Sequence, residues 1–451
     1  MGKVIFLGII AVILLVAAAL VWPTIGLLGY VSIYLLKTPL RLYFPWLLGF
    51  WGYLLDMGLV CIAILGVLRT YQRERRAGEI FAPRGIWICL TVLIFWIWIM
   101  LPASRDYNIG VIKGLVFSIF DTATIILGLL YGRTEAGLRR MARALIAIGV
   151  MAVIGTLVFG RPEQEWEGGR ITFAYATPLA PADMAAYLII ALMGLWLAKR
   201  TFISAVAMFV AATFATGAIF VTGTRGPFLM LASALLVMVY LYRRQVNLKA
   251  VIIVALFLGI TILAFRYYLS ISRGMVAERF GLAEIQKGIM DRVEMIKVSL
   301  KGWANSPILG TGPGDFAVQM EGANIMRYPH NVILEVLNEL GLIGLIPYLV
   351  LLYYGFRSMK LLSRPELDGS RFKMYAVIVL GVFVYHFIQS FKGGSYAGSN
   401  IFYLSWGAVI GAATLGSYDY MGLPEYYDAD NNEVASSTLT GRDQEEEEIT
   451  L

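Results

Sequence analysis

Residues 179–241 read LAPADMAAYLIIALMGLWLAKRTFISAVAMFVAATFATGAIFVTGTRGPFLMLASALLVMVYL. Three apolar blocks, Leu179 to Leu197, Phe202 to Val221 and Pro227 to Leu241, are separated by two short polar connections, "AKR" and "GTRG". The apolar residues are continuous and follow neither a helical nor a strand period, as expected of membrane spans and not of one soluble core. The first connection is basic, and the second places an arginine in a tight turn set by Gly223, Gly226 and Pro227.

The same pattern extends in both directions. Of the 451 residues, 59% are hydrophobic and 15% charged. Further blocks are Val4 to Trp22, Phe44 to Leu68, Ile86 to Leu101, Gly110 to Tyr131, Met141 to Phe159 and Ala250 to Phe265. Asn331 to Tyr354, Met374 to Ser390 and Asn400 to Ser417 follow, which makes about twelve spans of a length suited to roughly 30 Å of hydrocarbon. Met1 to Trp22 reads as a retained first span, and the short stretch Thr24 to Leu36 as re-entrant or interfacial. Trp46, Trp51, Trp87 and Tyr240 stand at block edges, where interfacial anchoring accounts for them.

Arg and Lys gather after alternate blocks: "RTYQRERR" from Arg69, "GRTEAGLRRMAR" from Gly132, "AKR" from Ala198, "YRRQVNLK" from Tyr242 and "RSMKLLSRPELDGSRFK" from Arg357. The positive-inside rule puts these five, and both termini, in the cytoplasm. This alternation also accounts for the net charge of +7 without a nucleic-acid partner. Facing outward are then Gly160 to Pro178, the Gly223 to Gly226 turn, and the long segment Arg266 to Pro329, in which "MVAERFGLAEIQKGIMDRVEMIKVSLKGW" reads as one or two amphipathic helices lying along the membrane. The fold predicted is an all-α polytopic integral membrane protein of about twelve transmembrane helices with a periplasmic helical cap. Residues 1–417 form the membrane domain, including the 266–329 loop, and 418–451 form an acidic, disordered cytoplasmic tail ending "DQEEEEITL".

Chemistry is sparse. Cys61 and Cys89 lie inside apolar blocks and offer neither a disulfide framework nor a metal cluster, and no Walker or dinucleotide-binding fingerprint is present. The Asp428-Ala429-Asp430 triplet, similar to a metal-binding pair of nucleotide-sugar enzymes, falls in the acidic tail on the wrong face. Of the two histidines, His386 is inside an apolar block and reads as a packed core residue. His330 stands where the outer segment re-enters the membrane, in "RYPHNVILEVLNELGLIG", where an imidazole is a candidate to accept a proton from a sugar hydroxyl, with an interfacial anchor as the alternative. Arg225, Arg170 and Arg292 lie on the same outer side, against the usual bias. Guanidinium forks match phosphate oxygens, so several near one histidine suit a diphosphate leaving group; taken singly, each is equally an anchor for lipid headgroups.

The string His330-Asn331, nine residues, then Gly341-Leu342-Ile343-Gly344 resembles the periplasmic motif of bacterial O-antigen ligases. The "GTGPGDF" run at 310–316 and the arginine turn at Arg225 are similar to the wider superfamily that also holds O-antigen and exopolysaccharide polymerases. The resemblance implies a glycosyltransferase without metal or other cofactor. Its donor would be an undecaprenyl diphosphate-linked glycan, and its acceptor lipid A-core or a second lipid-linked glycan, at the outer face of the bacterial inner membrane. By the resemblance His330 is the catalytic histidine and Arg225 the diphosphate-binding arginine, with Arg292 and Arg170 in support and Asn331 and Glu335 beside the substrate.

Charged residues at membrane depth are costly and so also candidates: Asp56, Lys113, Asp121, Asp183, Glu335 and Glu339. Glu335 and Glu339 extend a polar stripe below His330. Glu335 is placed either to orient the imidazole or line the acceptor cleft, or to make interhelical hydrogen bonds. Asp183 reads as a helix N-terminal acid, and Lys113 with Asp121 as a pair. A transporter coupled through Asp56 and Asp121, and a non-catalytic scaffold, are the rival classes. Against transport, no inverted halves with matching broken helices are visible.

Overall fold

The computed structural model describes residues 58, 61–66, 68, 84–162, 171–172, 178–199, 201–245, 259, 263, 282–320 and 328–418. The predicted spans Val4 to Trp22 and Ala250 to Phe265, most of Phe44 to Leu68, the stretch Thr24 to Leu36, Asp56, Arg170 and the tail with Asp428 and Asp430 lie outside these residues.

In chain order the helices are α1 (Arg84–Ile99), α2 (Tyr107–Gly132), α3 (Glu135–Phe159), α4 (Leu179–Lys199), α5 (Phe202–Val221) and α6 (Gly226–Leu241), then α7 (Leu282–Asn305), α8 (Asp315–Gln319), α9 (Val332–Leu362), α10 (Arg371–Gly393) and α11 (Asn400–Tyr418). Seven described helices are long and apolar enough to cross a membrane: α1 with the 3-10 turn that follows it, α2 to α5, α9 and α10; α6 is apolar but shorter. The chain is therefore a polytopic helical membrane protein. One departure from an all-helical chain is a two-residue antiparallel pairing after α3, Arg161 with Thr172 and Pro162 with Ile171.

Charged residues assigned to connections are drawn into the helices. α3 begins at Glu135, six residues before the apolar block, because the Thr134 hydroxyl accepts from Gly137 N and caps it. α9 likewise runs on to Leu362, past Arg357 and Lys360, and the long aliphatic stems of such side chains let a helix continue into the interface.

Two features fix the bundle. Gly128 and Gly132 of α2 face Gly407 and Gly411 of α11. A Cβ on Gly132 would stand 2.0 Å from the Ala408 carbonyl oxygen, and one on Gly407 would stand 2.1 Å from that of Ile125, so the two backbones touch. Small residues four apart on both partners are a recurrent device for close membrane-helix packing. Within α2, residues Val116–Asp121 form a π-helical turn, a local insertion common at functional sites, and this turn delivers Asp121 into the interior.

α7 has three faces. Ile289, Met290, Val293 and Leu300 form an exposed apolar stripe, while Asp291, Glu294, Lys297 and Lys301 occupy a solvent face. Ser299 and Gly302 are turned inward, Gly302 against Gln319 and Asn338. The helix is amphipathic as predicted, with its inner face docked on α8 and α9.

Candidate active site

The turn between α5 and α6 is built to hold an arginine at the end of the bundle. Gly223 takes φ +64°, the buried hydroxyls of Thr222 and Thr224 pair at 2.7 Å, and the Thr222 hydroxyl also donates to the Ile219 carbonyl. Arg225 is the N-cap of α6, with Pro227 in its first turn. Its guanidinium reaches α7, where Nη2 lies 3.9 Å from the Cβ position of Gly288. Arg292 is one turn further along that face. Its guanidinium is pushed below its ordinary value by partial burial first and by the Arg225 charge second, yet it stays protonated at neutral pH.

His330 closes the site from α9. At φ +54° it is the one non-glycine residue with positive φ among those described, a backbone state that costs on the order of 1 kcal/mol and concentrates where function over-determines it. Asn331 follows as N-cap of α9, its Oδ1 accepting from Leu334 N at 3.1 Å, so the residue beside the imidazole is fixed by the helix it starts. The ring packs edge-on against Tyr328 at 4.7 Å. Its Nδ1 is buried and makes no hydrogen bond among the described residues. Burial foremost, then the charges of Arg292 and Lys392, hold the imidazole below its ordinary 6.5, with the Lys392 backbone acting weakly the other way. The neutral form, able to accept a proton, is thereby favoured.

Lys392 is a fourth cation that sequence reasoning missed. It sits in the last turn of α10, within electrostatic reach of Arg225, Arg292 and His330. Its ammonium rests against Gly226, where a Cβ would fall 1.6 Å from Nζ and the lysine side chain would have to shift. The signal was present: a lysine in "FKGG" at the outer end of a span breaks the positive-inside bias just as Arg225 does. The carboxylate within electrostatic reach of Lys392 is Asp183 of α4, which also accepts from Tyr385 Oη at 2.5 Å and from Gln389 Nε2 at 2.7 Å. Asp183 is therefore a buried tie between α4 and α10, more than an acid serving a helix dipole. One turn deeper, His386 Nε2 and Tyr187 Oη are hydrogen-bonded at 2.5 Å, the core role expected of that histidine.

The predicted pairing of Lys113 with Asp121 does not form. Eight residues apart and separated by the π turn, the two side chains are carried to different partners. Lys113 Nζ lies 2.6 Å from Glu335 Oε1 and 2.7 Å from Glu339 Oε1, whereas Asp121 Oδ2 accepts from Gly398 N. Glu335 also accepts from Ser395 Oγ and Tyr396 N, and Glu339 from Tyr396 Oη and Gly314 N. Both oxygens of Glu335 are thus occupied in interhelical bonds, and no hydrogen bond joins it to His330.

The glycine strings have a shared structural purpose. α9 breaks at Gly341, φ +63° and ψ −165°, and the segment 307–312 lies along the break. Thr311 N and Gly312 N donate to the carbonyls of Asn338 and Glu339, while Leu342 N and Ile343 N donate to those of Pro307 and Ile308. A Cβ on Gly341 would stand 2.3 Å from the Ile308 oxygen, and one on Gly310 would stand 2.4 Å from the Glu339 oxygen. Trp96 Nε1 takes up the Leu340 carbonyl at 2.7 Å. This junction pins the end of α7 to the start of α9, and so sets Arg292 opposite His330.

Four cationic or basic side chains from four separate segments therefore converge at one end of the bundle. Among the described residues, no three His, Cys, Asp or Glu side chains gather as a metal site requires. The arrangement suits a polyanion, and it holds one base that burial keeps neutral.

Residues 209–349, which hold Arg225, Arg292, His330, Asn331, Glu335 and both glycine strings, match the family model described as O-antigen ligase. The match supports the O-antigen ligase and polymerase superfamily, the one the His330 motif resembles, and with it a glycosyltransferase-type role in polysaccharide biosynthesis. No curated protein matches the chain.

Proposed function

We propose that the protein is an O-antigen ligase-like glycosyltransferase, which moves a glycan from undecaprenyl diphosphate to an acceptor hydroxyl at the periplasmic face of the bacterial inner membrane. The convergence of His330 with Arg225, Arg292 and Lys392 carries this reading. The acceptor oxygen attacks the anomeric carbon as its proton passes to the His330 imidazole, and the bond from that carbon to the phosphate oxygen breaks. Undecaprenyl diphosphate departs with the electron pair. Direct displacement inverts the anomeric centre, and no metal is called on.

Arg225 and Arg292, reaching from the turn and from α7, take the diphosphate oxygens, and Lys392 adds a point charge from α10. Fixed cations aimed at developing negative charge need no reorganisation during the reaction. Arg170, outside the described residues, is assigned to the same anion by its place in an outward-facing connection of the sequence. Asn331 serves by capping α9 under the histidine, and Glu335 by holding α9 to α2. The exposed apolar stripe of α7 faces lipid beside the site, where the donor arrives.

The test is transfer by purified protein with the lipid-linked donor. His330→Ala is expected to bind donor as before while transfer drops about 10²- to 10⁴-fold, the span of a lost general base. Transfer near the original rate removes His330 from the mechanism. Glycan joined once to lipid A-core identifies a ligase, and a ladder of repeats on the lipid carrier identifies a polymerase.

A further inference from the structure

α9 carries a second cationic feature at the end away from His330. Its last turns place Arg357, Lys360 and Leu361 at helical spacings of three and four, and Arg364 follows two residues past the end of the helix; all four lie beside Ile410, Ala413 and Thr414 of α11. With Tyr354 these residues line a cavity of about 250 Å³. No carboxylate belongs to the lining, and Arg357 and Lys360 form no ion pair with a described residue. Arg357 and Lys360 are exposed like charges on one face of α9, an arrangement that is favourable when an anion is shared between them.

The approach to the cavity indicates which anion. Ile346, Leu349, Val350 and Tyr353 are exposed apolar residues on α9, and their spacing continues without interruption into Arg357 and Lys360. An apolar stripe that ends in cations at the mouth of a helix-lined cavity has the form of a phospholipid, chains first and headgroup last.

We propose that this cavity binds the headgroup phosphate of an anionic phospholipid whose acyl chains lie along the Ile346 to Tyr353 stripe. Guanidinium forks suit a phosphodiester, and basic pockets between spanning helices are a recognised way to hold such headgroups. The site is separate from the His330 cluster and stands whether or not the transferase reading holds.

The test is lipid retention, read by native mass spectrometry on the full chain extracted from bilayers of equal phosphatidylglycerol and phosphatidylcholine. The expected result is retained phosphatidylglycerol, with the preference lowered about 30-fold in an Arg357→Gln, Lys360→Gln double variant. An Arg243→Gln, Arg244→Gln variant, which removes two exposed charges elsewhere, is expected to keep it. Equal loss in both variants, or no loss in the first, overturns the proposal in favour of general surface charge. Millimolar inorganic phosphate that displaces phosphatidylglycerol would overturn it in favour of a soluble anion. A melting temperature equal to that of the unaltered protein confirms that each variant is folded.

Discussion

Two groups of charged residues lie close together along α9 and differ in one respect. In the lower group, Lys113, Glu335 and Glu339 are buried, and each carboxylate is answered by the ammonium, a hydroxyl and a backbone N–H. In the upper group, Arg292 and Lys392 act on His330 and Arg225 acts on both of them, while the one carboxylate shown to reach the group, Asp183 beside Lys392, also accepts from Tyr385 and Gln389. The first group is complete and gives the bundle its shape. The second has a surplus of positive charge at one end of the bundle and is complete when an anion arrives. A buried charge that is paired marks architecture, and a surplus of one sign at the end of a bundle marks a place for a ligand.

The contrast is broken most severely through its lower member. Lys113→Ala would leave Glu335 and Glu339 buried side by side without their cation and is expected to cost about 3–5 kcal/mol, the range for removing one partner of a buried ion pair. Thermal unfolding in detergent measures this, and a melting temperature that does not move would make the group ornamental. Arg225→Gln, in the upper member, should leave the melting temperature alone and lower transfer about 10²- to 10³-fold, as when one fixed donor to a developing anion is lost. If instead the protein melts early and its remaining folded fraction transfers normally, the upper group is structural too.

A finer distinction is available from pH. A histidine held below 6.5 stays neutral to lower pH, so the acid limb of kcat/KM should fall away below the ordinary imidazole range. Lys392→Met removes one of the two charges that depress it. The sign follows: the imidazole binds its proton more readily, and the acid limb moves up toward 6.5. A limb that stays put would mean that Lys392 does not act on His330.

Spans such as Phe202–Val221 were legible because an apolar block has no other way to be buried, and the His330 motif was legible because histidine is rare in this chain. Partners were less so. Lys113 sits 222 and 226 residues from the carboxylates it meets, a distance along the chain that no local pattern encodes, and the π turn that redirects Asp121 has no signature in "VFSIFD". The break at Gly341 was hidden for a related reason: glycine in an apolar helix is equally a packing surface, and the segment 307–312 that bonds to the break precedes it by some thirty residues. Lys392 is less conspicuous than the arginines because it stands at the end of a span and not in a connection, where the charge asymmetry of a membrane protein is plainest.

The seam between α2 and α11 limits traffic as well as movement. An alkyl chain is about 4–5 Å thick, wider than any gap between backbones in van der Waals contact, so no lipid tail can thread between those two helices along the Gly128, Gly132, Gly407 and Gly411 line. That side of the molecule acts as a wall. A bilayer-dissolved molecule bound for the His330 end must come in past helices separated by bulkier side chains, and a leucine placed at Gly407 would move the wall without opening a door.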